Sequence, residues 1–289
     1  MSDIVLLTGR TMPREVSEND LLADELRTLG VRAEIQPWDE PLDWSEHGIA
    51  VVRTTWDYWD RLDEFLAWAE RTRKQTTLHN PAEVIVWNHH KGYLVGLGES
   101  GVPVIPTRLL RAGSGAAEIA TALAEFDERH GGVELVAKPA VSAGARGALR
   151  TRADHPEAAA HLRELVAKGD ALLQPLAESV LTRGETSLVF FGQEFSHAVR
   201  KVPAGGEYRI HEHHGGSVQP HAPTEAELAA ARLALASAPA RTAYGRVDLV
   251  ELSEGPAVME LELIEPELFL PYADGATARY ARHLAALLP

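Results

Sequence analysis

The sequence contains no cysteine, which excludes disulfide staples, thiolate zinc sites, iron–sulfur clusters and cysteine nucleophiles. Long hydrophobic runs are absent as well. No run approaches the roughly 18 apolar residues of a membrane-spanning helix. The chain opens on one short apolar run that passes into Thr8, Gly9 and Arg10 without a charged leader or a small-residue cleavage site. A cytoplasmic protein without a membrane partner is expected. Positive charge is scarce: 28 Lys+Arg against 42 Asp+Glu give a net charge of -14, which repels a phosphate backbone and argues against a nucleic-acid partner. What is present is a chain of 289 residues, 45% hydrophobic and 24% charged, with the balance of a protein that builds a core and the length for two or three compact units.

The hydrophobic pattern alternates between strands and helices. Apolar runs at 4–7, 31–35 and 49–52 read as strands, and residues 19–29 form a helical repeat stopped by Gly30. This alternation predicts a parallel, doubly wound sheet, whose ligands bind beyond the carboxyl ends of the strands. Arg53-Thr54-Thr55-Trp56-Asp57-Tyr58 therefore falls where a small molecule is recognised, with packing of its aromatics on the next helix as the competing reading. A helix at 63–72 and a helical stretch from Asn80-Pro81 through Trp87, Lys91 and Leu97 lead to Gly98 and Gly101. Residues 102–107 are too proline-rich for a central strand and read as a connector between domains. Helix 116–126, strand 135–139, a loop at 141–147, helix 156–167 and strand 171–175 follow. Beyond them come a hairpin turning at Gly192-Gln193, a helix at 224–236 with Thr224 and Glu227 as a capping box, strands 245–252 and 257–264, and a terminal helix 275–288.

Three carboxylates stand out. Glu260 and Glu262 alternate with apolar residues and so point to one side of a strand, and a paired strand can bring Asp248 against them. Three like charges on one face repel, and a hard, oxygen-seeking divalent cation such as Mg²⁺ relieves that repulsion; a solvent-exposed polar face is the alternative. Lys138 ends an apolar strand and precedes Ser142-Ala143-Gly144-Ala145-Arg146-Gly147, a small-residue loop whose backbone N–H groups can approach phosphate oxygens. It matches neither the Walker nor the dinucleotide pattern, and a plain turn is the competing reading. The histidines around His211-Glu212-His213-His214 invite a zinc reading, against which stands their place between Arg209 and two glycines in an expected mobile loop.

Taken in order, Lys91, Lys138 with its loop, Gln174-Pro175-Leu176, Gly184-Glu185, Arg209, Asp248 and Glu260-Leu261-Glu262 resemble the ATP-grasp superfamily on its glutathione-synthetase-like side, over about residues 87–266. Trp87-Asn88, Lys91-Gly92-Tyr93-Leu94, the 101–107 connector, Gly245-Arg246-Val247-Asp248 and Met259-Glu260-Leu261-Glu262-Leu263-Ile264-Glu265-Pro266 look most like the branch containing the cycloserine-forming O-ureido-D-serine cyclo-ligase. The resemblance implies an ATP-grasp fold, two α/β subdomains clasping ATP, behind a doubly wound N-terminal domain. The expected division is 1–105, 106–177 and 178–289, the last carrying the metal site.

Carried over residue by residue, the resemblance implies that Lys91 and Lys138 contact ATP phosphates and that the loop Ser142 to Gly147, with Ser142 and Gly144, covers them. The backbone of Gln174, Pro175 and Leu176 would meet the adenine, and Glu185 would hold the ribose. Lys201 and Arg209 would face the transferred phosphoryl group as catalytic residues, and Asp248, Glu260 and Glu262 would hold two magnesium ions, with Mn²⁺ as an alternative. The family commonly carries arginine where Lys201 stands and asparagine where Glu262 stands. The activity implied is ADP-forming carboxylate–amine ligation through an acylphosphate, including cyclisation within one molecule. A non-catalytic nucleotide-binding regulator and a kinase-like enzyme are the alternatives. For an amino-acid-like substrate, Arg53 is expected to receive the carboxylate and Asp57 the amino group. A homo-oligomer stays open.

Overall fold

The computed structural model describes residues 2–10, 17–203 and 216–289. Its first part alternates β1 (Ser2–Thr8), α1 (Glu18–Thr28), β2 (Ala33–Pro37), β3 (His47–Thr54), α2 (Leu62–Thr72) and β4 (Thr77–His79). These strands make a four-stranded sheet in the order β2-β1-β3-β4, every pair parallel, as the alternation predicts. Helix α1 begins earlier than its apolar pattern suggests. Ser17 accepts from the Asp20 N–H while Asp20 reaches back to Ser17, a capping box, and Asn19 turns inward to donate to the Thr54 hydroxyl at 2.7 Å.

The helical stretch after Asn80 is not one helix. It divides into α3 (Ala82–Asn88) and α4 (Tyr93–Glu99), because the Lys91 N–H leaves the helical ladder and donates to the Ala140 carbonyl at 2.8 Å. Next come β5 (Arg108–Leu110), α5 (Ala116–His130), β6 (Leu135–Pro139), β7 (Leu149–Thr151), α6 (Pro156–Val166) and β8 (Ala171–Pro175). Their sheet, β5-β8-β6-β7, is antiparallel despite the alternation with helices, and α5 and α6 bury Ile119, Phe126 and Leu162 against it.

The remaining elements are α7 (Ser179–Thr182), β9 (Glu185–Phe191), β10 (Glu194–Val202), β11 (Ser217–His221), α8 (Glu225–Ala236), β12 (Tyr244–Leu252), β13 (Gly255–Glu262) and α9 (Ala276–Ala285). The five strands form an antiparallel sheet in the order β11-β10-β9-β12-β13. The expected Thr224–Glu227 capping box is present on α8, whose alanines pack flat on this sheet.

The outer edge of β13 is closed by other parts of the chain. Pro103 and Ile105 of the connector exchange hydrogen bonds with Val258, Tyr93 and Asn88 take the backbone groups of Leu261 and Leu263, and Asn80 bonds the Leu263 carbonyl. A second seam joins the chain's two ends. Tyr280 and Leu284 of α9 share a core with Leu22 and Leu26 of α1 and with Ile4 and Leu6 of β1. The parallel sheet thus sits directly on the large antiparallel one, with a cleft between the two antiparallel sheets.

Candidate functional site

A cleft of about 580 Å³ runs between the sheets. From the smaller sheet it is lined by Val136, Lys138, the loop at 142–146, and Gln174, Pro175 and Leu176. From the larger sheet come Glu185, Lys201, Arg246, Asp248, Glu260 and Glu262, and Lys91, Trp56 and Trp59 close it from the N-terminal side. Nearly every residue singled out in the sequence therefore shares one cavity. Arg209 and the histidine cluster at 211–214 lie outside the described residues.

Strand register assembles the acidic wall. Asp248 on β12 pairs with Glu260 on β13, and Arg246 with Glu262, before a bulge shifts the ladder beyond Asp248. Arg246 stands two residues before Asp248 and so shares its face. Its guanidinium donates to both Asp248 oxygens, at 3.0 and 2.9 Å, and to Glu262. Ser187 donates to Asp248 at 2.5 Å. Burial opposes ionisation of Asp248, but Arg246 and Lys201 outweigh it and hold the carboxyl at about 2. Glu262 ends up the other way: burial, with repulsion from Asp248, Glu260 and Glu265, pushes it up to about 8 despite Arg246. Burial likewise pushes Glu265 up to about 7.

The basic groups divide into paired and unpaired. The Lys91 ammonium donates to the Ser142 carbonyl at 2.5 Å and lies 3.0 Å from Glu260. Lys201 lies against Glu185, its register partner across β9 and β10, and 3.7 Å from Asp248. Gly184 permits that approach. Its φ is +76°, and a Cβ there would sit 1.9 Å from the Lys201 carbonyl oxygen. Lys138 is different: among the described residues it forms no ion pair, and burial, reinforced by Lys91, pulls its ammonium below the ordinary lysine range.

For a divalent cation the donor chemistry fits. Asp248, Glu260 and Glu262 are hard oxygen donors, and burial together with acidic neighbours raises Glu262 and Glu265, a penalty that a bound cation offsets. Among the described residues no three such side chains converge into a closed cage. That suits Mg²⁺, which is commonly held by one or two carboxylates with the substrate's phosphates.

Two expectations need correction. Arg53 does not reach the cleft. It is fully buried, paired with Glu18 at 3.2 Å, and lies over the rings of Tyr244 and Tyr280. Asp57 accepts from the Trp38 indole N–H at 2.8 Å and faces Gly9. Both are committed to packing because β3 runs into the seam between the chain's ends, and the loop presents Trp56 and Trp59 to the cavity instead. Glu185 and Lys201, expected as separate contacts, lie against each other. The Leu176 N–H is already spent on the Glu134 carbonyl at 2.8 Å. Sequence reasoning passed over Arg246, Ser187 and Glu265. Arg246 was legible from its two-residue spacing to Asp248, whereas Ser187 comes from a different strand and carries no such signal.

Comparison with known proteins agrees with this architecture. A family model described as the N-terminal domain of D-cycloserine synthetase DcsG matches residues 4–80. The cycloserine biosynthesis protein DcsG of Streptomyces lavendulae is 36% identical over 282 residues, covering 92% of each chain. The crystal structure of D-cycloserine synthetase DcsG superposes with a TM-score of 0.86 at 34% identity, covering 99% of both chains. D-alanine–D-alanine ligase from Bacillus anthracis shares the fold alone, with a TM-score of 0.70 at 15% identity over 99% of this chain and 95% of that one. The two antiparallel sheets around a cleft, behind a parallel N-terminal sheet, are the ATP-grasp fold, and this chain belongs to the DcsG family of ATP-grasp ligases.

Proposed function

We propose that the protein is an ATP- and Mg²⁺-dependent, ADP-forming carboxylate–amine ligase of antibiotic biosynthesis, closing a ring within an amino-acid-like molecule such as O-ureido-D-serine. The observation that carries this reading is that one cleft holds both an unpaired cation and a wall of carboxylates. Lys138 is drawn below the ordinary lysine range by burial and has no ion-pair partner among the described residues, and burial together with its acidic neighbours opposes ionisation of Glu262. A metal–nucleotide complex, anionic at its phosphates and cationic at its metal, answers both.

In this reading a substrate carboxylate oxygen attacks the γ-phosphorus, ADP departs, and an acylphosphate forms. A nitrogen of the same molecule then attacks the acyl carbon, loses its proton, and inorganic phosphate leaves. Lys91 and Lys138 orient the phosphates, and the loop at 142–146 covers them. Asp248, Glu260 and Glu262 would hold magnesium, which when bound would supply charge neutralisation for the transferring oxygens. Lys201, released from Glu185 or shared with it, faces the same group, and Arg209 is assigned the same role from the sequence. Trp56, Trp59 and the loop exclude water that would hydrolyse the acylphosphate.

We assign residues 1–105 to an N-terminal unit, 106–177 to the smaller ATP-grasp subdomain and 178–289 to the larger. We place the protein in the cytoplasm; no helix among the described residues is long and apolar enough to cross a membrane. The test is ADP release screened over O-ureido-D-serine and a panel of D- and L-amino acids, with mass spectrometry of the products. Cyclised product is expected. A phosphorylated product that persists would make the protein a kinase, and nucleotide binding without turnover would make it a regulator.

A further inference from the structure

The acidic groups of the cleft are not equivalent. Asp248 and Glu262 are bonded by Arg246, Glu260 by Lys91, and Glu185 by Lys201. Glu267, an exposed residue on the rim, also has a partner. Glu265 lines the same cavity and forms no ion pair among the described residues.

Its position is nevertheless tightly specified. It lies beyond the end of β13, in the turn leading to Pro266, where the Trp56 indole N–H donates to its backbone carbonyl at 2.8 Å and the nearby Tyr58 hydroxyl favours the ionised form of its carboxylate. Tyr58 is itself locked in an aromatic cluster with Phe65 and Trp59. Two residues of the β3 loop thus hold a carboxylate at the N-terminal side of the cleft. A carboxylate placed so firmly inside a cavity, whose main cationic influence, Lys91, is already paired with Glu260, is complementary to a cationic ligand. The adjoining Trp56 ring adds a quadrupole that favours an ammonium group, while the Trp59 face already carries the Arg146 guanidinium at 5.3 Å.

We propose that Glu265 receives the primary ammonium group of the substrate, in a subsite walled by Trp56 and bordered by Tyr58. The proposal rests on the ligase reading above and deepens it. It assigns the substrate as an amino acid with a free ammonium group, and moves amino-group recognition from Asp57 to Glu265.

The experiment compares O-ureido-D-serine with its N-acetyl derivative in wild-type enzyme and in Glu265→Gln, by steady-state ADP release and by calorimetric binding in the presence of magnesium and a non-hydrolysable ATP analogue. The amide keeps the shape and a partner for Tyr58 but removes the charge. Wild-type enzyme is expected to reject the N-acetyl compound. Glu265→Gln is expected to raise KM for O-ureido-D-serine by about 10- to 100-fold, the loss of a hydrogen bond between charged groups, with KM for ATP changed by less than about twofold. Tyr58→Phe, which leaves the carboxylate but frees its orientation, should give a smaller rise of the same kind. An active wild-type enzyme that accepts both compounds equally, a Glu265→Gln enzyme with unchanged discrimination, or one that loses kcat at constant KM overturns the assignment of Glu265 while the ligase reading stands. Neither ADP release nor binding with any amino acid overturns both.

Discussion

Lys138 shows how burial gives one side chain a direction of action. An ammonium removed from water and set near Lys91 is disfavoured in its charged form, so an incoming anion gains both the Coulomb attraction and the relief of that penalty. Lys138→Ala is expected to weaken ATP binding by about 1.5–3 kcal/mol, the range for a hydrogen bond to a charged group, as read by nucleotide titration of the folded variant. Unchanged affinity would remove Lys138 from the phosphate site. Glu262 has the opposite problem. Its proton is held up to about 8 in the fold but is released near the ordinary 4.5 in the unfolded chain. Between those values the folded state binds the extra proton, so this group's contribution is complete below about 4.5 and is lost as pH rises through about 8. His79, His89, His197 and His283, all pulled below 6.5 by burial, pull the other way only as pH falls beneath that value. In metal-free buffer, thermal stability is expected to decline from pH 6.5 towards 8, and Glu262→Gln to flatten the decline. Parallel curves for the two proteins would contradict this.

At the scale of elements, β13 carries the acidic wall and is an edge strand, whose unpaired backbone groups would ordinarily invite another chain. The protein closes that edge with side chains from α3 and α4. Asn88 accepts from the Leu263 N–H at 2.8 Å and donates to the Leu261 carbonyl at 2.8 Å, and the Tyr93 hydroxyl bonds both backbone groups of Leu261. Leu261 and Leu263 alternate with Glu260 and Glu262, so anchoring these two backbones fixes the direction of both carboxylates. Asn88→Leu leaves a buried N–H without its acceptor and should cost about 1–3 kcal/mol in denaturant unfolding, with magnesium-dependent activity falling as well. Full activity with intact stability would show that the strand holds its place without Asn88.

On the scale of the whole molecule, the two ends of the chain meet around one charge. Arg53 has no exposed surface, and its partner Glu18, at the first turn of α1, also accepts the Leu268 and Leu270 N–H groups at 2.8 and 2.7 Å. The pair therefore ties the parallel sheet to the turn between β13 and α9. Arg53→Ala is expected to destabilise the protein by about 3–5 kcal/mol, because a buried carboxylate loses its only ion-pair partner among the described residues. Substrate KM in whatever fraction folds should stay near wild type. A selective rise in substrate KM without loss of stability would restore Arg53 to substrate recognition.

Periodicity and order along the chain determined much by themselves. The parallel N-terminal sheet follows from alternating 2.0 and 3.6 repeats, β6 and β8 have the bounds their apolar runs imply, and the carboxylate face of β13 follows from two-residue spacing beside Asp248. These are local properties, carried by neighbours in sequence. The short strands β4, β5, β7 and β11 were not legible, since three to five residues hold too few alternations to rise above a loop. Only the tertiary structure decided that Arg53 is a buried strut rather than a substrate contact, that Lys201 meets Glu185, and that Glu265 stands in the cleft without an ion-pair partner among the described residues. In each case the deciding partner is distant in sequence or on another strand, and the energy of a charge depends on which groups desolvate and face it, a quantity that no spacing along one strand encodes.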